Sequence, residues 1–125
     1  MNTISRRLIT FVITLAAASL ATAIARPKTH SLDEDGALNL LLGAIKRDQV
    51  YAKRISLDCV TFAAEDTTRI YFVFVLRENH NAKCGGDPDL SPAIDRYRVY
   101  RASGKIEWLD RVADKWQPYT PAQIK

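Results

Sequence analysis

The chain has 125 residues, with 18 basic and 14 acidic side chains and a formal net charge of +4. That length makes one domain with a small core, and so mild a charge excludes a dedicated nucleic-acid binder, which needs a concentrated basic face. Two cysteines and two histidines leave little material for a metal centre or a catalytic triad.

Residues 1–25 have the three-part pattern of a secretory signal peptide. Met1–Arg7 carries Arg6 and Arg7 without an acid, Leu8–Leu20 is uncharged and apolar, and two Ala-x-Ala sites end at Ala23 and Ala25. Cleavage after Ala25 is expected, with no stable membrane anchor, because the second half of the uncharged run is mostly Ala, Thr and Ser. Residues 26–125 then form a single domain, exported to the periplasm or secreted. Its net charge falls to +2, since only the two arginines are lost. In an oxidising compartment the lone pair Cys59 and Cys84 is expected to form a disulfide.

Residues 26–30 are polar and expected to be flexible. Ser31-Leu32-Asp33-Glu34 has capping-box spacing and predicts a helix with Ser31 as its cap. Acids at its start and Lys46-Arg47 at its end suit the helix dipole, and Leu38, Leu41, Leu42 and Ile45 form one apolar stripe. From Ile55 the period becomes that of a strand running to Phe62, and Glu65–Thr68 reads as a turn. Arg69–Arg77 encloses a run apolar on both faces, which places it centrally in a sheet covered on at least part of both sides. Asn79–Pro92 is a long polar loop. Asp95–Arg101 and Lys105–Leu109 form a hairpin about Ser103-Gly104, whose two-residue turn would pair Val99 with Trp108 on the core face. Residues 110–125 are read as an extended segment packed by Trp116 and Tyr119. The fold class is α+β, one N-terminal helix on a four-stranded antiparallel meander, with Leu41 and Phe72 in the core.

The order helix, strand, turn, long strand, then Tyr97-Arg98-Val99-Tyr100 and Ser103-Gly104-Lys105-Ile106, resembles a PepSY-type domain over roughly Asp35–Leu109. The cystatin-like fold, also a helix on a meander, is similar to the same degree, although its inhibitory loop motif is absent. The chain departs from the PepSY pattern by inserting the Asn79–Pro92 loop. The PepSY resemblance implies an exported or envelope-associated domain that binds or restrains proteases and carries no catalytic residues.

The residues themselves suggest no reaction. His80 is the only histidine in the globular part and lacks a Gly-x-Ser-x-Gly partner motif, and Asp87, Asp89 and Asp95 lack the remaining ligands of a Ca²⁺ loop. No cofactor, metal or catalytic residue is expected. Long loops in small domains are commonly functional, and a loop stapled by Cys84 would bind without a large ordering cost. Asn79, His80, Lys83, Gly85, Gly86 and Asp87 are therefore the expected contact edge. The expected function is a small non-catalytic binding protein, an inhibitor or restrainer of an envelope or secreted hydrolase, with a protein partner in the envelope or outside the cell. One alternative is an anionic envelope ligand bound by Arg96, Arg98 and Lys105, which share a sheet face; another is a small hydrolase whose site is not recognisable.

Overall fold

Helix α1, Glu34–Arg47, leads into a five-stranded antiparallel sheet in the order β1-β2-β3-β4-β5, with β1 Val60–Thr67, β2 Tyr71–Glu78, β3 Ala93–Tyr100, β4 Ile106–Asp110 and β5 Lys115–Pro118. The computed structural model describes residues 30–124, so the signal-peptide pattern, its cleavage sites and residues 26–29 lie outside the described residues. The fold class is α+β, with one strand more than the sequence pattern predicts.

The helix begins two residues later than the capping box suggests. Asp33, not Ser31, is the N-cap, and its Oδ1 accepts from the Gly36 amide at 2.8 Å. The Leu32 amide is held instead by the Arg101 carbonyl at 2.8 Å, which ties the helix entry to the β3–β4 turn. The buried stripe is Ala37, Leu41, Ala44 and Ile45; Leu38 packs at its border. Small alanines let the helix lie close to the sheet, a role that a search for large apolar residues passes over.

Alternation divides the sheet into two faces. Toward the helix it presents Phe72, Phe74 and Leu76 of β2 and Tyr97 and Val99 of β3, all buried; Leu41 and Phe72 lie in this core as expected. Val73 and Val75 point the other way and are also buried. Arg96 on β3 reaches Glu65 on β1 in a bidentate pair, and since these strands flank β2, the pair passes over it. The aliphatic stems of such side chains shield apolar surface while the charges stay near water.

Three strand assignments change. Leu57–Cys59 is a 3-10 turn, and β1 starts only at Val60. Glu65-Asp66-Thr67 is not a turn but the end of β1, which a bulge between Ala64 and Asp66 carries onward. The chain reverses over Thr68–Ile70, where Thr68 Oγ1 accepts from the Ile70 and Tyr71 amides at 3.1 and 2.9 Å. In the closing hairpin Val99 pairs with Ile106 and Tyr97 with Trp108, because the turn spans four residues and not two. A slip of two residues preserves the faces, so Val99 and Trp108 still both lie on the core side.

The fifth strand comes from the tail. Asp110 Oδ1 accepts from the Val112 and Ala113 amides at 2.9 and 3.1 Å, and Asp114 takes a positive φ of 51°, turning the chain without a glycine. Lys115–Pro118 then pairs with β4, Tyr119 packs on Tyr97, and a 3-10 turn at Pro121–Gln123 brings Ile124 into the core. Among the described residues no helix is long and apolar enough to cross a membrane.

Candidate functional site

The Asn79–Pro92 loop closes on itself at the end of the sheet where β2 stops and β3 begins. Cys59 and Cys84 form a disulfide, with Cα atoms 5.6 Å apart. At its base the Asn79 amide donates to the Cys59 carbonyl at 2.8 Å, the Glu78 amide to the Pro92 carbonyl at 2.9 Å, and Ser91 Oγ to the Glu78 carbonyl at 2.9 Å. Nearer the tip, Asn81 Oδ1 accepts from the Lys83 and Cys84 amides, both at 2.9 Å. Asn81 thus serves as an Asx turn that presents the cysteine to its partner.

Of the six predicted loop residues, the structure exposes Lys83, Gly85, Gly86 and Asp87 and places Asn79 and His80 inward as braces. Lys83 Nζ lies 3.3 Å from Asp58 Oδ2. His80 spans the loop: Nε2 lies 2.7 Å from Glu78 Oε2 and Nδ1 lies 2.9 Å from the Asp87 carbonyl oxygen. Gly86 has φ of +83°, and a Cβ there would stand 2.6 Å from the His80 ring, so glycine is required for both reasons. Pro88, Asp89 and Leu90, absent from the predicted set, complete the exposed tip.

Both neighbours of the His80 ring are acceptors, and only the imidazolium offers two N–H donors. The hydrogen bond to Glu78, followed by that to the Asp87 carbonyl, raises the imidazole pKa above its ordinary 6.5. A raised folded-state pKa means that this brace is fully present below the unfolded pKa and is lost as pH rises through the folded one. An NMR titration should therefore give His80 a midpoint above 6.5, with the loop amides shifting in step and His80→Gln abolishing the transition. A midpoint at or below 6.5 would refute the double-acceptor geometry.

On the outer sheet face Arg96, Arg98 and Lys105 do share one side, and each meets a carboxylate. Arg96 Nε lies 2.6 Å from Glu65. Arg98 and Lys105 converge on the two oxygens of buried Glu107, Lys105 at 2.6 Å, with the Tyr100 hydroxyl a further donor at 3.2 Å. Burial pushes the Glu107 carboxyl up, but the bonds from Lys105 and Arg98 outweigh it and hold it below its usual value. The Arg98 guanidinium also lies against Tyr71, Tyr100 and Trp116, 4.7–5.5 Å from the ring centroids. Trp116 could not be placed in this cluster from the sequence, because only the fifth strand brings it there, whereas Glu107, two residues from Lys105 on the predicted strand, could have been found by alternation.

Beneath the helix side, Tyr51 donates to Asp95 Oδ2 at 2.6 Å, its hydroxyl lies 2.6 Å from that of Tyr97, and Arg54 stands 3.7 Å from the same carboxylate oxygen. Burial raises the pKa of both tyrosines, which keeps them neutral donors. This network joins the segment after α1 to β3. Among the described residues no group of three or more His, Cys, Asp or Glu side chains is placed to hold a metal ion.

Comparison with protein-family models, with curated proteins and with solved structures returns no match.

Proposed function

We propose that this protein is a small non-catalytic binding protein, exported to the periplasm or secreted, that restrains a hydrolase by presenting the Asn79–Pro92 loop to it. One observation carries the reading: the loop is braced at both ends and across its middle while its tip, Lys83 and Gly85–Leu90, stays exposed. Such a loop enters a concave site with little ordering cost, and Leu90, 58 % exposed at the tip, supplies an apolar contact that its fold does not use. The disulfide suits an oxidising compartment, and the signal-peptide pattern of residues 1–25 motivates the export. The PepSY-like and cystatin-like comparisons belong to the same reading, since a helix on a meander is common to them. The anionic-ligand alternative through Arg96, Arg98 and Lys105 is the weaker one, because Glu65 and Glu107 already neutralise much of that face.

The test is inhibition of purified secreted and envelope hydrolases by the disulfide-bonded protein. Lys83→Ala with Leu90→Ala should weaken inhibition at least tenfold, the loss of about 1.4 kcal/mol of contact, while leaving thermal stability unchanged. Inhibition that survives this change but falls with Arg98→Ala, or that weakens steeply with salt, would move the site to the sheet face.

A further inference from the structure

The sheet has a second feature at the same end as the loop, on its helix-facing side beyond the reach of α1. Register places Tyr97 opposite Trp108 and Trp108 opposite Gln117, and alternation puts Asp95 and Asp110 on that same face. The returning C-terminal turn supplies Gln123. Between them lie two adjoining hollows of about 490 and 270 Å³ that share Trp108, Asp110 and Gln123; Gln117 lines the larger, Asp95 and Arg111 the smaller.

Three properties of this cleft point to a ligand. Its larger hollow falls within the range of small-molecule sites, roughly 300–1,000 Å³, and far exceeds the ~30 Å³ share of a single water. Trp108 is half-buried and lines both hollows, so an aromatic ring borders them. Asp95, 7 % exposed, uses Oδ2 for Tyr51, and Asp110 uses Oδ1 for the turn amides, so each retains an acceptor oxygen.

The chemistry of the lining selects the class. The larger hollow, bordered by Asp110 and by no basic side chain, disfavours an anion, and its polar side chains disfavour a wholly apolar guest; Arg111 borders only the smaller hollow. Carboxylates accept from hydroxyls, carboxamides both donate and accept, and the indole ring offers an apolar face. We propose that this cleft binds a neutral hydroxyl-rich ligand, a saccharide unit, free or within a glycan chain. The proposal is independent of the loop reading, since the cleft uses no loop residue.

Trp108 reports on its own site once the other tryptophan is removed. In a Trp116→Phe background, intrinsic fluorescence would be titrated with glucose, N-acetylglucosamine and the β-1,4-linked dimer of each. A saturable change in emission is expected with at least one of them, tighter for a dimer if the cleft reads a chain and equal for its monomer if it reads a single unit. Gln117→Ala with Gln123→Ala should weaken it about tenfold by removing two hydrogen-bonding groups. Gln123 is exposed and Gln117 half-buried, and an unchanged melting temperature would confirm that the variant is folded. Emission unmoved by all four sugars, or moved equally in the variant, overturns the proposal. A saturable response to spermidine and to none of the sugars also overturns it, since the acids would then be binding a cation.

Discussion

Replacing Cys59 or Cys84 with Ser should lower the unfolding free energy by about 2–4 kcal/mol. The crosslink closes a segment with a sequence separation of 25 residues, and in the chain-entropy model such a closure contributes on the order of 3 kcal/mol by restricting the unfolded chain. In a domain whose total stability is of the order of 5–15 kcal/mol, that is a large share. The bond also joins the 3-10 turn before β1 to the loop, and the Asn79 amide bonds to the same residue's carbonyl at 2.8 Å. Reduction should therefore loosen the loop before the core. Denaturant unfolding of Cys59→Ser and Cys84→Ser, alongside the reduced wild type, checks this. All three should lose similar amounts; a loss under about 0.5 kcal/mol in any of them would show that the native contacts alone hold the loop.

The parts of this molecule that were legible in the sequence are those written in strong local periodicity. The doubly apolar β2 and the cysteine pair are of that kind and occupy the places their patterns imply. Of the expected α1 stripe Leu41 and Ile45 are buried, while Leu38 and Leu42 are half-buried and Ala37 and Ala44 complete the packed face. The misread parts depend on partners distant in sequence. Glu65 and Asp66 look like turn residues, yet the bulge and the Arg96 pairing make them strand. The tail holds two prolines, which argue against a strand in isolation, but Pro118 ends β5 at a sheet edge, where a missing N–H costs little. The same holds for the sites. A loop of 14 residues between two strands is visible as punctuation, whereas His80 as its brace follows from Glu78 and the Asp87 carbonyl meeting one ring. The Trp108 cleft was not legible at all, because it needs β5 and the final turn to close it.

Phe74→Ala should destabilise the fold by about 3–5 kcal/mol, the cost of a large buried aromatic truncated to a methyl. Phe74 is fully buried at the middle of β2, an interior strand of the sheet, flanked in register by Ala64 and Tyr97, with the Phe72 ring 6.2 Å away. Its neighbours cannot close the space. Tyr97 is held by the hydroxyl of Tyr51, and Tyr51 is in turn held by Asp95, so a shift of either ring would break a buried hydrogen bond. The opposing helix is pinned at both ends, by the Leu32–Arg101 backbone bond and by the Tyr119 hydroxyl donating to Asp48 at 3.0 Å. The cavity should therefore persist, and the cost should fall in the upper part of the range. Ile70→Ala, at a residue 63 % exposed in the β1–β2 turn, is the matched control and should change stability by less than about 0.5 kcal/mol. Equilibrium unfolding of both variants separates the cases. A Phe74→Ala loss below about 1 kcal/mol would mean that the helix does not seal this face of the sheet, and the bracing that holds the loop at its end would lose its foundation.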